Sequence, residues 1–134
     1  MISLGKRQVG DGSPCFITFE AGPTHHGFDS AKRLVTLAAE AGGDAVKFQM
    51  SDPDRLIADK SVTISYQVLV DRENGEKETI TEPLYDVIKR RYLSFSERKK
   101  VTAHADKSGI TLFLTVSFDD LVDRVVELGC PSIK

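Results

Sequence analysis

The chain has 134 residues, a formal net charge of −2 and 28% charged residues. That balance creates no field favouring nucleic acid or an anionic membrane. No apolar run reaches the roughly 20 residues that a membrane span needs, and 40% hydrophobic content suits one globular domain, residues 1–134.

The first residues, Met-Ile-Ser-Leu-Gly-Lys-Arg, lack the apolar centre of a secretory signal. Turn chemistry at Gly5-Lys6 and Asp11-Gly12 predicts a small hairpin over Ile2–Val9. Ser13-Pro14 then introduces a strand, Cys15 to Glu20, apolar enough to be covered on both faces. Alternation puts Phe16, Thr18 and Glu20 on one side of it. Cys15 and Cys130 form no CxxC and no metal spacing. Each sits beside a proline at a predicted strand start, so both are expected to be buried free thiols in a reduced cytoplasm.

Ala21 to Phe28 is a loop rich in turn formers, Gly22, Pro23 and Gly27. Asp29 or Ser30 is the expected cap of the next helix. Ala31, Leu34, Val35, Ala38 and Ala41 follow the i, i+3, i+4, i+7 pattern of a buried stripe, and Gly42-Gly43 ends it. Ala45 to Gln49 is the second strand. Its Val46 and Phe48 point at helices, and Ala45, Lys47 and Gln49 point the other way.

A strand, a helix and a strand make a βαβ unit. Parallel strands share one carboxyl edge, where ligands bind. Glu20, Lys47 and Gln49 therefore meet on one face of that edge. Two readings fit these residues alone. One is a structural ion pair between Glu20 and Lys47. The other is an anion site, because an inward lysine is costly without a counter-charge.

Met50 to Leu93 far exceeds the roughly 2–6 residues of an ordinary βα loop, so it holds structure of its own. Tyr66–Asp71 and Lys77–Thr81 alternate, and Asn74-Gly75 between them predicts a tight hairpin. Pro83 suits the first turn of a helix carrying Leu84, Val87 and Ile88. The run Lys89-Arg90-Arg91 fits either a solvated helix end or an anion contact. Insertions of this kind shape or cover sites.

Ser94-x-x-Glu97 is a capping box for a helix with Val101, His104 and Ala105 on one side, ending at Gly109. His104 reads as a partly exposed helix residue. Thr111–Thr115 is the third long strand. Ser117-x-x-Asp120 predicts another cap, before Leu121, Val122, Val125 and Leu128, and Ser132-Ile133-Lys134 opens a fourth strand. The order β-α-β-insertion-α-β-α-β is that of the first half of a (β/α)8 barrel of the TIM type, preceded by the hairpin. A whole barrel takes about 250 residues. A small doubly wound sheet is the rival.

Three stretches resemble one family. Phe19 to Gly27 resembles the A-E-I-G-x-N-H-x-G signature of the sialic acid synthase family, the N-acetylneuraminate synthase-like enzymes. Ala41 to Gln49 resembles its A-G-A-D-A-V-K-F-Q, and Gly109 to Lys134 resembles G-I-x-F-x-S-T-P-F-D … L-G-V-P-x-x-K. The motifs come in order and cover nearly the whole chain.

The resemblance implies a (β/α)8 barrel that condenses phosphoenolpyruvate with an open-chain N-acylmannosamine-type sugar. The product is a nine-carbon 2-keto sugar acid, and phosphate leaves. It implies a divalent metal, commonly Mn2+, and a homodimer completed by a C-terminal antifreeze-like domain. By position, Lys47 and Lys134 would hold the carboxylate and phosphate, and Gln49 would bond to the same ligand. Glu20 would face the sugar, binding a hydroxyl or moving a proton. Thr115 and Ser117 would offer hydroxyls to the phosphate, and His25 would structure the loop beside the substrate. Thr24 replaces the signature asparagine, Val116 takes the slot of a threonine, and Met50 stands where threonine is common.

The metal ligands and the later strands are expected outside these residues. The 134-residue stretch is accordingly expected to be inactive alone. Alternatives are a non-catalytic half-barrel that pairs its open edge with another chain, and a related synthase making a different surface-polysaccharide 2-keto sugar acid.

Overall fold

The computed structural model describes residues 1–22 and 24–134. β1 (Ile2–Leu4) and β2 (Arg7–Val9) form the expected antiparallel hairpin, with Ile2 opposite Val9. It is tied to the start of the main sheet. Arg7 Nη2 meets Asp44 Oδ1 at 2.8 Å, and Oδ2 of the same carboxylate accepts the Ile17 N–H at 2.8 Å.

The next strand, β3 (Thr18–Gly22), starts three residues later than the sequence predicts and runs two further. It is not covered on both faces. Ile17 is 51% exposed, Phe19 is 39% exposed and Cys15 is exposed. The reason is topological: β3 is an edge, hydrogen-bonded on one side only. Its apolar composition describes a covering that the described residues do not provide.

The expectation of two buried thiols is thereby corrected for Cys15. Cys130 is half-buried, and burial, with Asp106 adding to it, pushes its thiol up to about 11. Since the thiolate is the reactive form, iodoacetamide at pH 8 should alkylate Cys15 well before Cys130. Peptide mass mapping of a time course reads that order.

α1 (Phe28–Glu40) buries Ala31, Val35 and Ala38, while Ala41 lies outside the helix and is exposed. Neither Asp29 nor Ser30 caps it. Gly27 holds the N-cap position at φ 92°, with no side-chain cap, because Asp29 is already inside the first turn. Gly43, at the far end of α1, is required by close approach: a Cβ there would lie 2.6 Å from the Phe19 ring and 3.0 Å from the Ala38 carbonyl oxygen.

β4 (Ala45–Met50) pairs in parallel with β3, Glu20 opposite Lys47. The long insertion then forms α2 (Pro53–Leu56), the antiparallel pair β5 (Thr63–Leu69) and β6 (Lys77–Pro83), and α3 (Leu84–Lys89). The hairpin is real, but its turn is not the tight Asn-Gly type. Leu69 pairs with Lys77, leaving a longer loop in which Asp71 Oδ1 accepts the Glu73 N–H and Asn74 Oδ1 accepts the Glu76 N–H, both at 2.8 Å. Pro83 ends β6 as the N-cap of α3 and does not sit in its first turn.

α4 (Phe95–Lys107) begins at the predicted capping box. The Glu97 N–H donates to Ser94 Oγ at 3.3 Å, and the Ser94 N–H donates to Glu97 Oε2 at 2.8 Å. β7 (Thr111–Val116) lies parallel to β4 on its other side, giving the order β3-β4-β7. Ser117 does not cap the next helix. Its Oγ pairs with Ser51 Oγ at 3.0 Å, and a 3-10 turn over Asp119–Leu121 leads into α5 (Val122–Glu127). Ile133 bridges in parallel to Leu114, where the sequence places a fourth strand.

The core fills the space between this sheet and the helices. Val46 and Phe48 of β4, Leu112 and Leu114 of β7, Val35 of α1, Val101 of α4 and Val125 of α5 are all buried in it. Only one parity of each strand contributes. That leaves the other parity, with Lys47 on it, as a separate face of the sheet.

Candidate functional site

Lys47 and Glu20 are register partners at the carboxyl ends of adjacent parallel strands. Lys47 Nζ donates to Glu20 Oε2 at 2.7 Å, and Glu20 Oε1 accepts the Gly22 N–H at 2.8 Å. The strand breaks register between Glu20 and Gly22, and Gly22 takes φ 36°. A Cβ on Gly22 would stand 3.1 Å from Glu20 Oε1. Glycine thus lets the backbone bend back onto the carboxylate.

The pair is lopsided. The Lys47 side chain is 5% exposed, whereas that of Glu20 is 57% exposed. A buried cation whose counter-charge stands half in water can exchange that partner. Displacing Glu20 from the ammonium would cost the carboxylate little, because water already solvates it.

One step further along the strands, Gln49 is the register partner of Thr115. Lys134 straddles Thr115 from the other side: its N–H donates to the Leu114 carbonyl at 3.0 Å, and its carbonyl accepts the Val116 N–H at 3.3 Å. Glu20 and Lys47 form one row across the sheet, and Gln49, Thr115 and Lys134 form the next. Thr115 Oγ1 is buried without a hydrogen-bond partner among the described residues, a cost of about 1–3 kcal/mol that a bound acceptor would remove. Ser117 lies beyond them, on Ser51. Thr24, in place of the signature asparagine, closes its own turn by donating to the Ala21 carbonyl at 2.6 Å. Val116 packs against the core, so its slot faces the helices and takes no hydroxyl from this face.

His25 is not with them. It is 1% exposed and sits edge-on to Phe48, ring centroids 5.7 Å apart, on the helix side of β4. Burial, then the positive charges of Arg98, Arg91 and His26, pull its pKa down to about 4, against a weaker opposing pull from the Gly27 backbone. The sign follows directly. The unfolded chain binds a proton here near 6.5, the folded chain only near 4, so folding is favoured above that window. Stability should fall as pH drops from about 6.5 to about 4, and His25→Phe should flatten that part of the curve. Urea midpoints across this range test it.

Arg98 was not singled out from the sequence. It is 5% exposed, donating through Nε to the Leu93 carbonyl at 3.1 Å and through Nη1 to the Gln49 carbonyl at 2.9 Å. It clamps the end of β4, which carries Lys47 and Gln49. The signal was present: Arg98, Val101, Thr102 and Ala105 are spaced i, i+3, i+4, i+7, and all four are buried. Of the basic run after α3, Arg90 pairs with Glu82 at 2.6 Å, while Arg91 turns its Nε inward.

Among the described residues, no three of His, Cys, Asp and Glu gather where an ion could bind. The donor set of this face is a single carboxylate already held by an ammonium, which does not fit a divalent metal. No helix among the described residues is long and apolar enough to cross a membrane.

Comparisons with known proteins bear on the family and the fold. The chain is 33% identical over 132 residues to an N,N'-diacetyllegionaminic acid synthase of Legionella pneumophila, covering 97% of this chain and 35% of that protein. It is 32% identical over 132 residues to the N-acetylneuraminate-9-phosphate synthase of Mus musculus, covering 96% and 34% respectively. The chain thus spans about a third of the length of these relatives. Its fold is similar to that of the N-acetylneuraminic acid (sialic acid) synthetase of Leptospira borgpetersenii serovar Hardjo-bovis, solved in complex with citrate, at a TM-score of 0.74 and 22% identity, over 98% of this chain and 39% of that one. Residues 34–134 match the NeuB family model. They hold Lys47, Gln49, Thr115 and Lys134, and with them the chain belongs to the NeuB family.

Proposed function

We propose that the whole protein condenses phosphoenolpyruvate with an N-acylmannosamine-type sugar, making a nine-carbon 2-keto sugar acid. C3 of phosphoenolpyruvate bonds to the sugar aldehyde carbon, water adds at C2, and phosphate leaves. The observation that carries the reading is the buried Lys47 ammonium, whose only charged partner among the described residues is the half-exposed Glu20 carboxylate.

In this reading, phosphoenolpyruvate displaces Glu20 from Lys47. Lys134, one row further along, takes the second anionic group, and the unpartnered Thr115 hydroxyl donates to an oxygen between them. Fixed positive charge held in a largely dry setting stabilises a small polyanion far better than a basic surface would. Glu20, released but still tethered at Gly22, faces the sugar and can accept a proton there. In this reading the strands are the opening strands of a (β/α)8 barrel. The divalent metal implied by the resemblance draws no ligands from this face, and no step above passes through it.

A second reading concerns only the sugar. The relatives are named for legionaminic acid and for N-acetylneuraminate 9-phosphate, so the acceptor varies within the family. Phosphate release by the whole protein, given phosphoenolpyruvate and Mn2+, should appear with N-acetylmannosamine, its 6-phosphate or a bacillosamine-type sugar. The one that supports turnover names the acceptor. Release with none of them, while phosphoenolpyruvate also fails to bind, would refute the synthase reading.

A further inference from the structure

At the end of β4, beside the His25 ring, lies a second polar site. A cavity of about 30 Å3 is lined by His25, Gln49, Ser51, Arg91 and Arg98, with Leu56, Ile88 and Tyr92 at its rim. That is room for about two waters or one halide ion. Its lining contains two guanidinium groups and no carboxylate. Neither Arg91 nor Arg98 forms an ion pair among the described residues, unlike Arg90 next to them, which pairs with Glu82. Among the described residues, two buried nitrogens at this cavity lack partners: Nδ1 of His25, a residue 1% exposed, and Nε of Arg91.

We propose that this cavity is a binding site for one small monovalent anion, of the size of chloride, held between Arg91, Arg98 and the His25 ring. The physical reason is charge balance. Arg98 gives two of its five N–H groups to backbone carbonyls, which leaves its charge without a counter-charge. Burial alone pulls its pKa down to about 10, still charged at neutral pH. Arg91 brings a second cation with a buried, unused N–H. A water in the cavity would satisfy Arg91 Nε yet leave both charges unbalanced, whereas a halide accepts from the guanidinium and supplies the missing charge. The cavity is too small for phosphoenolpyruvate or a sugar. The site is therefore separate from the synthase face, and its failure would leave that reading untouched. It adjoins the Gln49 carbonyl held by Arg98, so an ion here braces the strand end that carries Lys47 and Gln49.

The groups facing His25 are Arg98 from α4, Arg91 from the end of α3 and His26 from its own loop; all three disfavour its protonation. An anion between them reverses part of that effect. The test compares about 100 mM chloride with gluconate at equal ionic strength, so that screening is the same in both. The His25 imidazole pKa, followed by NMR, should stand higher in chloride by about one. Arg91→Gln, at a half-exposed position, should abolish the difference while leaving the spectrum folded. Crystals soaked in bromide should show an anomalous peak between Arg91 and Arg98. Equal His25 pKa values in the two salts would overturn the proposal, as would a difference that survives Arg91→Gln.

Discussion

Lys47→Ala in the whole protein is expected to lower kcat/KM for phosphoenolpyruvate by about 10^2–10^3, with only a modest loss of fold stability. The two halves of that statement have one cause. Lys47 is buried and Glu20 is half-exposed, so removing the lysine strands no charge: the carboxylate turns to water and keeps its bond from the Gly22 N–H. What disappears is the fixed cation.

Glu20→Gln should behave in the opposite way. It leaves the ammonium buried with a neutral partner, and stability should fall by about 1–3 kcal/mol. The loss is held below that of a fully buried pair because water reaches Glu20. Phosphoenolpyruvate binding should survive and should restore stability to this variant more than to the parent. Thermal melts with and without phosphoenolpyruvate measure both. A Lys47→Ala protein that binds phosphoenolpyruvate normally would remove this residue from the site.

The second large effect is on the fold. Phe48→Ala should cost about 3–5 kcal/mol in urea denaturation, since Phe48 is 2% exposed at the centre of the core between β4 and its helices. It should also loosen His25, whose ring rests edge-on against Phe48. As water reaches the imidazole, the His25 pKa should rise from about 4 toward its ordinary value. Phe48→Leu, which keeps most of the volume, should do less of both.

Much of the site was legible because it follows from strand parity. A period of two, counted from Glu20 and from Lys47, puts their side chains on one face and Phe48 on the other, and the register confirms the pairing. The helix from Ser94 was legible because its capping box is a local hydrogen-bond pattern. Other features depend on contacts distant in sequence. The strand before Glu20 reads as doubly covered because composition records what a segment is suited to meet, not what meets it here. Ser117 has the spacing of a cap, but Ser51, just past the end of β4, competes for its hydroxyl. His25 belongs to a loop signature, which places it near the site without fixing the side of the sheet its ring enters. The Asn-Gly turn loses to Asp71 and Asn74, whose carboxylate and amide oxygens build a wider loop.

In the proposed function, the carboxyl ends of β3, β4 and β7 form one anion site, with Lys47 at its base. A crystal structure of the whole protein soaked in phosphoenolpyruvate addresses this directly. The ligand should contact Lys47 Nζ, with Glu20 drawn away from the ammonium and Thr115 Oγ1 bonded to a ligand oxygen. Phosphoenolpyruvate bound elsewhere, with the 2.7 Å Lys47–Glu20 contact intact beneath it, would contradict the account.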